Sequence, residues 1–216
     1  MKAAPEVPPA FNGVMTACSP IVRTWARLEV SGLEHLPPSG PTLLASNHDS
    51  WWDPIVIGTA AVGKRQIRAL AKSSLWRNPL VGRVLDGMGQ IPIERGKGDA
   101  QALERAIADL RAGACVGIFL EGTRSRGRQL RARSGFGWIA QAVPEAEIVC
   151  CTVIGSTDLV RFPTRPTVRV RFFRPAGGPT PGESAGEFTA RLLAEIRAEA
   201  PVMSSGRRVP RSLNQA

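Results

Sequence analysis

The sequence predicts a single α/β domain with a mostly parallel or mixed central sheet flanked by helices. Two patterns carry this expectation: short apolar runs with the character of buried strands recur along the chain, and amphipathic stretches of helical period lie between them. Length is the third observation. At 216 residues and 43% hydrophobic content, the chain fills one sizeable core and falls short of two ordinary domains.

Taken in order, residues 14–30 (VMTACSPIVRTWARLEV) mix apolar side chains with Arg and Trp in the manner of an interfacial helix, interrupted by Pro20. Residues 1–26 are therefore set apart as a membrane-contacting segment, 27–200 as the main domain and 201–216 as a basic mobile tail with little to bury. Strands are expected at TLLAS (42–46), QIRALA (66–71), QIPI (90–93), ACVGIFL (114–120) and EIVCCTVI (147–154). TVRVRFF alternates Val168, Val170 and Phe172 with Arg169 and Arg171, a strand with one wet face. Between these, Leu103, Ala106, Ile107 and Leu110 repeat at helical spacing, and Gly113 supplies a stop. That helix separates two strands as a crossover would. A last helix carries Phe188, Leu192, Leu193 and Ile196 on one stripe.

The formal charge is +10 and the pI about 10.8, which favours anionic partners: nucleic acid, phosphorylated metabolites or an anionic bilayer. Tyr is absent, aromatics are few and no nucleic-acid motif is present, so a nucleic-acid partner is not expected. Cys18, Cys115, Cys150 and Cys151 lack C-x-x-C spacing, and three of them sit in apolar runs, which fits a reducing cytosol. No apolar run reaches 18 residues, and the N-terminus lacks the apolar middle of a signal peptide. The expected location is cytoplasmic, peripheral on the inner face of the membrane. Only two histidines exist, His35 and His48, and neither sits in a ligand cluster, so no metal is expected.

Loops after strand C-termini hold ligands in such folds. The loop after TLLAS reads NHDSWWDP and places His48 five residues before Asp53. On a continuous helix five residues turn by roughly 500°, leaving the side chains about 140° apart, so the two can meet only across a turn. Asp53 before Pro54 is also an ordinary start for a helix over 54 to about 62. An imidazole paired with a carboxylate has its tautomer fixed and its basicity raised, as a general base for an alcohol needs. Capping and orienting are compatible roles for one carboxylate.

Two further stretches join this one. Asn47, His48, Ser50 and Asp53 match N-H-x-S-x-x-D; AKSSLWRNPLVGRVLDGMGQIPIERG holds Lys72, a Pro-Leu-Val-Gly helix, Ile93 and Arg95; and FLEGTRSRG holds Glu121, Gly122, Thr123 and Arg124. In order and spacing, over about residues 27–175, these resemble the glycerolipid acyltransferase family of the lysophosphatidate acyltransferase type. Leu120 stands where that family's F-P-E-G-T-R-S has proline, and CCTVIGS replaces its V-P-V strand near the acyl or acceptor pocket.

The resemblance implies a glycerol-3-phosphate acyltransferase-like fold over 27–200. It also implies transfer of a fatty acyl group from acyl-CoA or acyl carrier protein to a lysophospholipid hydroxyl, with 1-acylglycerol-3-phosphate (lysophosphatidate) the foremost acceptor and no cofactor. His48 and Asp53 would be catalytic. Arg124, Arg95 and Lys72 would hold the acceptor phosphate, for which guanidinium forks and an ammonium are suited. Gly122 and Thr123 would form the turn or an oxyanion site, with Asn47, Ser50 and Glu121 in support. Trp51 and Trp52 could flank an acyl chain. A G-x-S-x-G match at 182–186, GESAG, follows no strand and has no histidine after it, so it reads as the entry to the last helix.

Overall fold

The computed structural model describes residues 9–94, 99–160 and 164–203. In chain order the elements are α1 (Pro9–Trp25), β1 (Arg27–Ser31), β2 (Thr42–Ser46), α2 (Asp53–Ala61), β3 (Ile67–Lys72), α3 (Pro79–Gly87), β4 (Ile91–Ile93), α4 (Ala100–Arg111), β5 (Cys115–Phe119), α5 (Gly135–Ala142), β6 (Glu147–Ile154), β7 (Thr167–Phe173) and α6 (Ala185–Glu199). One seven-stranded sheet has the order β1-β7-β6-β2-β5-β3-β4. Strands β2 to β6 are parallel to one another, β7 is antiparallel to β6, and β1 runs parallel to β7. The sheet is mixed, as expected.

Alternation along the buried strands divides the core into two layers. Leu43, Ala45 and Cys150 face α4, α5 and α6 through Ala106, Leu110, Phe136, Ile139, Phe188 and Leu192. Leu44, Val149 and Cys151 face the opposite layer, with Val22 of α1 and Val56, Ile57 and Ala61 of α2. Leu110 is fully buried, so its truncation to Ala costs about 2–5 kcal/mol. The predicted crossover helix is α4, begun by Asp99, whose Oδ1 accepts from the Ala102 amide at 3.0 Å, and ended at Gly113 with φ 87°. Ser184, the serine of GESAG, caps α6 in a reciprocal box with Glu187.

Two elements differ from the expectation. The stretch 14–30 is not one helix: α1 runs from Pro9 through Pro20 to Trp25, and 27–31 forms β1, paired in parallel with β7. Strand β1 lies at the sheet edge, mostly exposed, so its side chains carry little of the apolar signal that marks central strands. Helix α1 also buries Phe11, Met15 and Val22 against the body, and Met15 fills the space beside Gly58 of α2. The sequence reading did not place α5. Its Gly135 and Gly137 weaken the helical pattern, yet Gly137 is needed, because a Cβ there would overlap the Ala185 carbonyl at the α5–α6 crossing. Of the tail, Met203 is buried and residues 204–216 lie outside the described residues.

Candidate active site

The parallel strands β2, β5 and β6 deliver their C-terminal ends to one place. The Leu120 amide donates to the Ser46 carbonyl at 3.1 Å, which extends the β2–β5 ladder one step beyond Phe119. Proline at 120 could not make that bond. Asn47 is fixed on the other side, where its amide group exchanges two hydrogen bonds with Val153 of β6, at 2.8 Å to the carbonyl and 2.9 Å from the amide. The departure from the family pattern at 150–156 thus supplies backbone that pins Asn47.

His48 follows, buried, with its own amide donating to Glu121 Oε2 at 3.0 Å and its carbonyl accepting from Ser125 N at 2.8 Å. The chain then turns. His48 Nδ1 lies 2.9 Å from Asp53 Oδ2, and the imidazole stacks on Phe119 with ring centroids 4.1 Å apart. Asp53 Oδ2 also accepts from the amides of Asp49 (2.7 Å) and Ser50 (2.8 Å), while Oδ1 accepts from the Ser156 hydroxyl. With Nδ1 directed at this carboxylate as donor, Nε2 is left as the nitrogen with a free lone pair. Asp53 makes no side-chain cap to α2; its carboxylate is turned back to the loop before the helix.

Glu121 and Asp49 share one partner. Arg197 of α6 donates through Nη2 to Glu121 at 2.6 and 2.7 Å and to Asp49 Oδ1 at 2.9 Å, and through Nη1 to Asp49 Oδ2 at 2.9 Å. Asp49 also accepts from the Ser125 hydroxyl and from Asn47 Nδ2 at 3.2 Å. Burial pushes the Glu121 carboxyl above its ordinary range, opposed by Arg197. Burial acts against the guanidinium too, yet Asp49 and Glu121 hold Arg197 above its usual value. Removing one partner from such a buried cluster costs about 3–5 kcal/mol.

The remaining candidates divide. Ser50 donates to the Ser156 carbonyl at 3.1 Å and accepts from the Trp52 amide at 3.2 Å. Gly122, at φ 68°, donates its amide to the Phe119 carbonyl at 2.9 Å; that N–H belongs to the turn and not to an oxyanion site. Thr123 is exposed at the mouth. Arg124 stacks its guanidinium 3.9 Å over the ring of Trp51, whose side is 65% exposed. Burial and neighbouring Arg126 lower the Arg124 pKa, and Asp53 acts the other way. Trp52 is half-buried in the α2 layer. Lys72 is exposed at the end of β3, and Arg95 lies outside the described residues.

A groove of about 790 Å³ opens beside this loop, lined by Leu70, Ile93, Leu103, Ile118, Phe136 and Trp138, with Lys72 on its wall and Phe119, Gly122 and Thr123 near His48. Sequence reasoning missed Asp49, Ser125, Ser156 and Arg197. Asp49 stands at an unspecified position within a motif; Ser125 is the final serine of the F-P-E-G-T-R-S match, to which the sequence reading assigns no role, and Ser156 and Arg197 carry no local signal. Among the described residues no group of three or more His, Cys, Asp or Glu is arranged to hold a metal.

The sequence pattern of the acyltransferase family matches residues 27–154. A 1-acyl-sn-glycerol-3-phosphate acyltransferase of Borreliella burgdorferi is 37% identical over 123 residues, 55% of this chain and 48% of that protein. A chloroplastic 1-acyl-sn-glycerol-3-phosphate acyltransferase of Arabidopsis thaliana is 28% identical over 151 residues, 65% of this chain and 42% of that protein. A lyso-ornithine lipid O-acyltransferase of Pseudomonas aeruginosa is 33% identical over 99 residues, 45% and 37% of the two chains. The chain spans less than half the length of these curated relatives. The fold is similar to the crystal structure of the 1-acyl-sn-glycerophosphate acyltransferase PlsC from Thermotoga maritima, with TM-score 0.66 and 19% identity over 87% of this chain and 79% of that one.

Proposed function

This chain belongs to the acyltransferase family, and from that premise we propose that it moves a fatty acyl group from acyl-CoA or acyl carrier protein to a lysophospholipid hydroxyl, foremost that of 1-acylglycerol-3-phosphate. The observation that carries the reading is the 2.9 Å contact between His48 Nδ1 and Asp53 Oδ2, with the imidazole stacked on Phe119 of the groove wall. Nε2 takes the proton from the acceptor hydroxyl as its oxygen attacks the thioester carbonyl. The proton then passes to the leaving thiolate, and no covalent enzyme intermediate is needed. Arg124, with Lys72 and Arg95, neutralises the acceptor phosphate, and the groove seats the acyl chain. Thr123 is the remaining donor candidate for the tetrahedral oxyanion. Holding alcohol and thioester in line contributes up to about 7–11 kcal/mol of the barrier reduction.

The acceptor lies in a bilayer, and the site end of the sheet is suited to one. Exposed apolar side chains follow successive strand ends: Trp51 after β2, Leu75 and Leu80 after β3, Trp138 after β5 and Val160 after β6. Exposed Arg77, Arg126 and Arg128 share the loops and helices of that end, each worth about 1 kcal/mol near an anionic surface. Among the described residues no helix is long and apolar enough to cross a membrane. A peripheral position on the cytoplasmic face belongs to this proposal, and the exposed apolar and basic side chains of that end support the membrane contact.

Likeness to the Pseudomonas protein favours a second reading in which the acceptor is another lysolipid or a glycolipid. A third, a lipid-phosphate binding module without chemistry, leaves the His48–Asp53 pair without a use. The test is a transfer assay offering lysophosphatidate and other lysolipids with both thioester donors, run beside His48→Ala. Transfer by the wild type that is lost in the variant supports the reading. Transfer that survives in the variant overturns the base assignment, and lipid binding with no transfer leaves the module.

A further inference from the structure

We infer that Arg197, on the last helix and beyond the stretch that carries the family pattern, is the positioning residue that holds the His48 loop in catalytic register. The inference rests on His48 being the base, as proposed above. The loop is held from both faces of the sheet. From the α2 layer Asp53 orients the imidazole; from the α6 layer Arg197 holds the backbone that carries it. Its fork bridges Glu121, which accepts the His48 amide proton at 3.0 Å, and Asp49, whose own amide donates to Asp53 at 2.7 Å. Every connection runs through the two residues 48 and 49.

The geometry needs a guanidinium. One cation must serve two carboxylates that point from different loops, and Nη1 and Nη2 do so in one plane. The fork is anchored behind: Nη1 also donates to the Ala200 carbonyl at 3.1 Å, at the cap of α6. The three side chains are 10%, 3% and 1% exposed for Arg197, Asp49 and Glu121, so water cannot substitute. The motif leaves position 49 unspecified; here the residue in it is an aspartate that reaches 148 positions along the chain.

The experiment compares Arg197→Lys, which keeps the charge and loses the fork, with wild type. The expected result is a folded protein whose kcat is about 10- to 100-fold lower, since misplacement by about 1 Å can cost that much, with the acceptor KM within about twofold. The variant Arg197→Met/Asp49→Asn/Glu121→Gln removes the buried charges together. Recovery of its melting temperature relative to Arg197→Met while kcat stays low supports positioning. A kcat that recovers with stability, a wild-type kcat in Arg197→Lys, or an effect confined to KM overturns it. A proton spectrum provides a readout independent of substrate. The downfield signal of the His48 Nδ1 proton should weaken in Arg197→Lys, and an unchanged signal overturns the inference even if no acceptor is turned over. Absence of transfer by the wild type refutes the proposed function separately.

Discussion

Ser156 and Asp53 meet across 103 positions of sequence, the serine hydroxyl donating to Oδ1 of the carboxylate whose Oδ2 holds the His48 ring. Three strands are therefore represented in one hydrogen-bonded unit: His48 follows β2, Ser156 follows β6, and Glu121, bound to the His48 amide, follows β5.

Ser156→Ala removes a donor from a buried carboxylate. Hydrogen bonds to charged groups contribute about 1.5–3 kcal/mol, so the variant should lose stability of that order. The freed oxygen lets the carboxylate rotate away from Nδ1, and kcat should fall about tenfold with KM unchanged. Thermal melts and steady-state kinetics check both, and a full kcat would separate Ser156 from the site.

His48→Ala and Asp53→Asn should differ in stability while agreeing in activity. Without the imidazole, Asp53 still accepts from two amides and the Ser156 hydroxyl, so His48→Ala should lose only the buried packing of the ring on Phe119. Asp53→Asn turns an acceptor into a group with a donor end facing donors and should melt lower. Both should lose about 10²- to 10⁴-fold in transfer rate.

Six of the seven strands were legible because each is a mainly apolar run or, in β7, alternates apolar residues with Arg, and α4 and α6 because each keeps one stripe and a cap. Edge strand β1 and glycine-bearing α5 were not, since neighbours rather than local pattern stabilise them. The His48–Asp53 pair was legible because five residues spanning a strand end and Pro54 imply a turn. Arg197 was not. A lone arginine in an amphipathic helix is indistinguishable from its solvated neighbours until the fold brings Asp49 and Glu121 to it.

Arg124 and Trp51 give a test of acceptor binding. Arg124→Gln removes a charged donor proposed to meet phosphate, and about 1.5–3 kcal/mol of lost binding raises the KM for lysophosphatidate about 10- to 100-fold. Trp51→Ala removes only the cation–π support at 3.9 Å, about 0.5–1 kcal/mol at an exposed site, and should raise it about two- to fivefold. An acceptor without phosphate should show neither change.

The thiols provide a test of the core. Burial pushes Cys115 and Cys150 up to about 12 and raises Cys151 as well, and all three lie in the interior strands. At neutral pH they are protonated and shielded, so a thiol-reactive dye should label the native protein only at half-exposed Cys18. Denaturant should bring the labelled number to four. Native labelling at Cys150 would contradict the packing of β6 against α6, and labelling at Cys151 its packing against the α2 layer.

Attachment to a bilayer should depend on both charge and apolar contact. The wild type should sediment with vesicles containing anionic phospholipid at low salt, and added salt should release much of it, because screening shortens the reach of surface charges from about 30 Å at 0.01 M to about 8 Å at 0.15 M. Leu80, 70% exposed near the start of α3, lies on no core cluster, so Leu80→Asp should leave the melting temperature unchanged. Burying a leucine side chain in lipid contributes about 1.5–3 kcal/mol, so that variant should bind vesicles about 10- to 100-fold more weakly. Equal sedimentation of the two proteins would place the membrane contact on another face. No sedimentation of the wild type would remove the membrane from the proposed function.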